Sequence, residues 1–479
     1  MSYDLLKDLQ PQCFFKWFGA ICEIPHGSRK EAAIMDFFKK FADERGYEWS
    51  QDEALNLFVK VPATPGYEDQ PAILFQAHAD MVWAKEEGSS FDFENSALDL
   101  KIEGGRLIAD RTTLGADNGV GVATMLALAD TQEIPHPPLE LLFTSAEEVG
   151  LVGIRSFDMS KITARRMINM DCGDTDMFCV SSAGSIKSEV KRTFAAFALP
   201  EGWCSLHITV DGGIGGHSGL RIGEERMCAV NTIAAVLDDV TCPKMLGKIA
   251  CHSGPIVKKA DAIAAVPAEL KAKAIAEMEE SFAEMKTIYA AEDPDIFMTV
   301  EDVDCEKFVG EDDTESLISI LNMFHTGPYR RSGSDPEIVV TSAALARTKL
   351  ENGEFYTLYS IRSANDKCGE IFHRCKAKIA EKYGFKLVKL DQYSGWPESP
   401  VSAFRDAFCE AYKARLGETP KFERVHGGIE VGMIVGAIPD MDAIGYAPTS
   451  RGAHTPQEYL EISLVQPYWD VLTDVLAKK

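Results

Sequence analysis

Seven residues, spread from position 78 to position 454, are of the types that bind borderline divalent cations: His78 and Asp80, Asp117, Glu147 and Glu148, Asp171, and His454. Imidazole nitrogen and carboxylate oxygen together suit a pair of ions such as zinc. In His78-x-Asp80, one strand period puts both side chains on the same face, so Asp80 can receive the imidazole's other N–H and orient it. A carboxylate with two oxygens, such as Asp117, can bridge two ions about 3.5–4 Å apart. Adjacent carboxylates leave a strand in different directions, so one of Glu147 and Glu148 can ligate while the other serves as general base.

Each fragment alone has an ordinary reading. His-x-Asp is commonly a hydrogen-bonded surface pair, and Glu-Glu is commonly solvated. Asp117-Asn118-Gly119 reads as a turn and helix cap, and His454 before Thr455-Pro456 as a loop residue. Their joint placement at the ends of apolar strands separates the readings. Several buried acids without compensation would be very unfavourable, and a dinuclear cation centre is the simplest compensation.

The elements that must position these groups follow from hydrophobic period. Ser28 and Glu31 form a capping-box pattern ahead of Ile34, Phe37, Phe38 and Phe41, which recur at helical spacing up to Gly46. Residues 72–82, 139–150 and 166–174 each read as an apolar strand running into a polar tip, and 119–130 as a helix opened by Asp117-Asn118. The alternation predicts an α/β sheet with helices on both faces, its chemistry gathered at strand ends. The glycines of GVGVAT lack a dinucleotide fingerprint and are read as helix packing. From about Ile186 the segments 205–213 and 355–363 alternate polar and apolar like half-exposed strands, and 267–291 reads as a long helix with Pro267 in its first turn. Near 393–400 the run YSGWPESP marks a boundary, after which the first style returns. The expected organisation is a discontinuous α/β catalytic domain (1–185 and 395–479) around an α+β insertion (186–394), with no internal repeat.

At 479 residues the chain is long enough for two or three domains. Its 46% apolar and 26% charged residues are an ordinary globular mix, and its net charge of −25, without a basic patch, argues against nucleic acid and anionic membranes. No apolar stretch is long enough to span a bilayer. The start, MSYDLLKDLQ, lacks the basic-then-apolar order of a secretory signal, and the twelve cysteines include no Cys-x-x-Cys. A cytoplasmic protein with reduced thiols is expected.

Taken in series, QAHADMV, RTTLGADNGVG, TSAEEVGLVG, INMDCGD, GGHSG, VHGGIEVG and GAHTPQEYLEI closely resemble the motifs of the aminoacyl-histidine (Xaa-His or nonspecific) dipeptidases. These belong to the co-catalytic zinc peptidases that include aminoacylases and carnosinases. The resemblance implies that His78 and Asp171 hold one metal, that Glu148 and His454 hold the other, and that Asp117 bridges them. Asp80 would steer His78, and Glu147 would take a proton from the attacking water and return it to the leaving amine. The metals implied are two divalent ions, zinc first, with manganese or cobalt also suitable.

The resemblance further implies a smaller lid domain, matching the insertion. In it His217 would swing over the site and stabilise the oxyanion, and Arg362, in SIRS, would take the substrate's C-terminal carboxylate. The family's habit implies a homodimer through the lid. His426 and Glu430 match the pattern as support. Two lid stretches, SGPIVKKADAIAAVP and LRIGEERMCAVN, depart from it. The expected function is dinuclear-metal-dependent hydrolysis of dipeptides. The rival readings are deacylation of N-acyl amino acids and a non-catalytic binding protein on the same fold.

Overall fold

Strands that run apolar throughout must be covered on both faces, and the segments ending in the candidate ligands are of this kind. The computed structural model describes residues 2–131, 133–252 and 254–478. It divides into two compact units: residues Met1–Ser181, Trp396–Arg424 and Ile429–Lys479 form the first, and Ser182–Gly395 with Val425–Gly428 the second. The architecture is mixed α/β with a separate inserted domain.

Among the described residues, the first unit is built on a sheet of eight strands. In spatial order they are Glu48–Gln51, Leu57–Val61, Leu139–Thr144, Ile73–His78, Arg166–Asn169, Asp442–Gly445, Met177–Ser182 and Lys421–Val425. The central strands Leu139–Thr144, Ile73–His78, Arg166–Asn169 and Asp442–Gly445 run parallel. The sheet is therefore mixed, and the parallel strands bring one set of carboxyl ends together. Register places Phe75, Phe143, Ile168 and Ile444 on one face, all within the larger apolar core. Phe38, from helix Ala32–Arg45, stacks on Phe143 with ring centroids 4.5 Å apart. On the other face Gln76 and Thr144 meet Glu430, at the start of helix Val431–Ala437.

Helix Ala116–Ala129 is buried along almost its whole length. A Cβ at Gly121 would lie 2.8 Å from the Cβ of Ala77 and 2.7 Å from that of Met170, so only glycine lets the helix approach the strand ends this closely. This accounts for the glycine-rich run as packing. A small four-stranded sheet, in the order Ser450–Arg451, Tyr459–Glu461, Arg106–Ala109, Leu100–Glu103, frames the loop that carries His454.

The second unit contains a duplication that the sequence does not display as a repeat. Strand Trp203–Asp211, helix Ala229–Asp238, strands Met245–Cys251 and Ala260–Pro267, helix Lys271–Ile288 and strand Phe297–Asp302 form one βαββαβ module. Strand Gly184–Thr193, helix Glu311–Met323, strands Val339–Glu351 and Glu354–Ser363, helix Asp366–Lys382 and strand Lys386–Tyr393 form the other. Each module orders its strands fourth, first, third, second, and the two second strands lie side by side, joining the modules in one continuous sheet. The expectation of no internal repeat is thus corrected at the level of topology. One copy is inserted after the opening strand of the other, which hides the period.

Two local expectations also change. Ser28 and Glu31 do not form a capping box. Helix Ala32–Arg45 begins without a side-chain cap, the Ser28 hydroxyl donates to Asp80, and the Glu31 carboxylate accepts from the main-chain N–H of Arg29 and Ala146. Pro267 ends a strand rather than opening the long helix, which follows a short 3₁₀ turn at Ala268–Leu270. A proline can close a strand because its missing N–H costs the ladder nothing there.

Candidate metal centre

All seven polar residues singled out in the sequence lie in the first unit. His78 ends its strand, Asp171 follows Arg166–Asn169 by two residues, and Glu147 and Glu148 follow Leu139–Thr144. Asp117 opens its helix with non-helical backbone (φ −86°, ψ 103°). His454 sits in the left-handed region at φ 65°.

His78 Nε2 lies 3.0 Å from Asp117 Oδ1 and 3.2 Å from Asp171 Oδ1. His454 Nε2 lies 3.2 Å from Asp117 Oδ2 and 2.8 Å from Glu148 Oε1. The two oxygens of Asp117 therefore face two imidazoles, each of which also faces a second carboxylate. His78, Asp117 and Glu148 each present a donor atom within 4.8 Å of the other two. The donor set fits a pair of borderline divalent cations: nitrogen and oxygen donors only, with a carboxylate placed between two halves.

The charges show what the site demands. Burial alone would lower the pKa of His78, but Asp171, Asp117 and Asp80 together hold it well above its ordinary value. Burial opposes ionisation of Asp117, yet hydrogen bonds from His454 and His78 bring it below the usual carboxylate range. Burial and neighbouring acids lift Asp171 to about 6 despite His78. Hydrogen bonds to Asp117 and Glu148 raise His454 to about 10. Positive charge among these groups favours the ionised acids, and a pair of cations would supply it.

Glu147 differs from the others. Its side chain has no hydrogen-bond or ion-pair partner among the described residues. Burial, followed by the charge of Asp171, raises its pKa well above that of an ordinary glutamate. It is a carboxyl close to the candidate ligands that hydrogen-bonds to none of them.

Asp80 acts by two routes. The His78 Nδ1–H is served by the main-chain carbonyl of Asp80 at 2.9 Å, with its carboxylate at 3.6 Å. The carboxylate itself accepts from the main-chain N–H of Glu147 at 3.0 Å and Glu148 at 3.3 Å, and from Ser28 Oγ at 2.7 Å. One aspartate thus sets both the imidazole and the Glu147-Glu148 turn.

Sequence reasoning misses Glu458. Its carboxylate accepts from the main-chain N–H of Leu114 (2.7 Å), Gly115 (2.9 Å) and Asp117 (3.0 Å), fixing the turn that aims Asp117. Burial raises its pKa to about 7 although these bonds lower it. The signal was its place four residues after His454 in GAHTPQEYLEI. Glu430 is 1% exposed, accepts from Gln76 and Thr144, and is pushed by burial to about 8.

His217, Arg362 and His426 all lie in the second unit and cluster there. A Cβ at Gly219 would stand 2.3 Å from the His426 carbonyl oxygen, 3.1 Å from His217 Cε1 and 3.2 Å from Arg362 Nε. His217 Nδ1 accepts from the N–H groups of Gly219 and Leu220, which leaves Nε2 as the protonated nitrogen. Burial and the Arg362 charge lower the pKa of His217, and bring His426 to about 4. Arg362 donates to the Tyr393 hydroxyl at 3.2 Å, its buried Nε has no hydrogen-bond partner, and it forms no ion pair with a carboxylate among the described residues.

The chain is 28% identical over 477 residues to the cytosol non-specific dipeptidase of Escherichia coli (strain K12), covering 98% of both chains. It superimposes on the crystal structure of the aminoacylhistidine dipeptidase from Vibrio alginolyticus with a TM-score of 0.91 and 30% identity, covering 99% of each chain. A tripeptidase from Staphylococcus aureus, at 15% identity and a TM-score of 0.55 over 98% of both chains, shares the fold. The model of peptidase family M20/M25/M40 matches residues 74–478, which include every candidate ligand. The chain belongs to that family and is a metal-dependent hydrolase of peptide bonds.

Proposed function

We propose that the protein hydrolyses dipeptides, Xaa-His among them, at a dinuclear centre held by His78, Asp117, Glu148, Asp171 and His454. The observation that carries this reading is the position of Asp117, whose two carboxylate oxygens each face a different imidazole. When bound, two divalent cations of the zinc type polarise the scissile carbonyl and acidify water.

The chain's own residues do the rest. Glu147, free of partners, removes a proton from the attacking water and returns it to the departing amine. Asp80 keeps the Glu147-Glu148 turn and His78 in place. The Nε2–H of His217 donates to the carbonyl oxygen as negative charge develops there. Arg362, which lacks a carboxylate partner of its own, receives the substrate's C-terminal carboxylate through its guanidinium. That last contact favours substrates with a free C-terminal carboxylate.

The test is metal analysis of the purified protein combined with parallel assays on dipeptides, Xaa-His dipeptides and N-acetyl amino acids. Near two equivalents of metal and chelator-sensitive dipeptide cleavage are expected. A fully loaded protein that cleaves N-acetyl amino acids and spares dipeptides would replace this reading with a deacylase. A loaded protein inert on every substrate would leave only a binding role.

A further inference from the structure

The seam between the two modules of the second unit is narrow. Strands Met245–Cys251 and Val339–Glu351 pair there only through Ile249 with Leu350 and Ala250 with Lys349. Beside these pairs lies a cavity of about 320 Å³, lined by Cys251, His252 and Gly254 from one module and by Arg347, Lys349 and Tyr356 from the other. The strand is irregular at this point, with a register shift between Ala346 and Lys349 and Arg347 at φ 47°. Left-handed backbone at a long side chain costs free energy, so the fold must compensate for holding Arg347 there.

The lining contains two basic side chains, Arg347 and Lys349, and no acidic one, in a chain of net charge −25. Lys349 is paired with Glu351 at 2.6 Å, and His252 bonds Asp261. The Arg347 guanidinium has no ion-pair or hydrogen-bond partner among the described residues. Arg347 and Lys349 line the recess together with Tyr356, the cross-strand partner of Lys349, and with His252, and guanidinium and ammonium groups match the oxygens of a phosphate or carboxylate group. The volume sits at the lower end of small-molecule sites, which suits a compact anion.

We propose that this recess binds a small anion bearing phosphate or carboxylate groups, gripped by Arg347 and Lys349 on one module and by His252 on the other. The site is separate from the metal centre, all of whose ligands belong to the first unit. An occupant would tie together the module that carries His217 and the module that carries Arg362.

Calorimetric titration of the metal-loaded protein with inorganic phosphate, and separately with glutarate, tests this. Phosphate that ligates the metals inhibits dipeptide cleavage equally in every variant, so heat lost on changing the recess belongs to the recess. Arg347→Gly combined with Lys349→Ala should weaken recess binding at least tenfold while kcat in anion-free buffer stays unchanged. Because glycine relieves the left-handed backbone at position 347, lost binding in this variant is not lost folding. Binding of phosphate alone or of glutarate alone supports the site and fixes the group it takes. Unchanged stoichiometry and affinity for both anions in the double variant would overturn the proposal, as would absence of binding beyond the metal centre in the parent protein.

Discussion

Glu458 holds Asp117 in place without touching its carboxylate. Three main-chain N–H groups, those of Leu114, Gly115 and Asp117 itself, converge on the Glu458 carboxyl within 3.0 Å. The bridging geometry of Asp117 therefore depends on a residue from the far end of the chain. Glu458→Ala leaves three buried donors unpartnered, at a cost of ~1–3 kcal/mol for each one that finds no water. Metal affinity should drop about 10- to 100-fold, as it does when a group orienting a ligand is lost. Elemental analysis after dialysis against a metal buffer measures this, and undiminished loading in the variant would refute the positioning role.

In the proposed centre Glu147 stands next to a ligand and is not one, so its replacement should separate chemistry from assembly. Glu147→Gln preserves shape and removes the base. We expect kcat to fall by ~10²–10⁴, with metal content and melting temperature unchanged. A variant that lost its metals instead would show Glu147 to be a ligand, and near-parental turnover would remove it from the mechanism.

Stripping the metals should make stability depend on pH in a definite direction. In the metal-free protein Asp171 (about 6), Glu430 (about 8) and His454 (about 10) all hold their protons more tightly than in the unfolded chain, where 3.8, 4.5 and 6.5 apply. A group with a raised folded pKa stabilises fully below its unfolded pKa and loses that contribution as pH rises through the folded value. Asp117 and Asp80 are shifted the other way, and their slope is complete below about pH 4. From pH 5 to pH 9 the contributions of Asp171, Glu430 and His454 therefore decline in turn, while those of Asp117 and Asp80 stay level. Each unit of displacement corresponds to about 1.4 kcal/mol before solvent screening, which discounts half-exposed His454 most. Urea midpoints of the chelated protein should fall across this range while those of the loaded protein stay nearly level. A chelated protein that grows more stable toward pH 9 would contradict the assignment of buried, proton-bearing acids.

How much of this was legible in the sequence depended on whether the signal was local. His78, Asp171 and the Glu147-Glu148 pair could be read because each closes an apolar strand, and a parallel sheet gathers strand ends at one edge. Gly121 could be read as packing for the same reason. Ser28 could not be placed, because its spacing to Glu31 imitates a helix cap while both side chains serve distant partners, Asp80 and Ala146. Glu458 was hidden because main-chain N–H groups leave no mark in the sequence. The duplicated module was hidden because its copies share strand order rather than residues, and because one interrupts the other.

His217 is tuned as a neutral donor. Two main-chain N–H groups donate to Nδ1, and burial with the nearby Arg362 charge lowers the pKa of the ring. His217→Ala should lower kcat by ~10²–10³, the usual loss for one oxyanion donor, with metal content intact. His217→Gln, which retains an N–H donor, should recover part of it. Loss of metal in either variant would instead place His217 among the ligands.

If Arg362 grips the substrate's carboxylate as proposed, the substrate preference comes down to one charge. Its guanidinium shares its surroundings with two imidazoles whose pKa values are lowered by burial and then by its charge, and no carboxylate of the chain neutralises it among the described residues. Arg362→Met keeps much of the side chain's volume and removes the charge. A charge-assisted hydrogen bond contributes ~1.5–3 kcal/mol, so kcat/KM for a dipeptide should fall about 10- to 150-fold, carried mainly by KM. The decisive comparison uses the same dipeptide with its C-terminus amidated. The parent enzyme should discriminate strongly against the amide, and Arg362→Met should accept acid and amide about equally. If the variant still prefers the free carboxylate by the parental factor, another residue grips that end of the substrate. Gly219→Ala provides an independent check, since its Cβ would press on the His426 carbonyl and crowd both His217 and Arg362. It should impair KM and kcat together while leaving the metals bound.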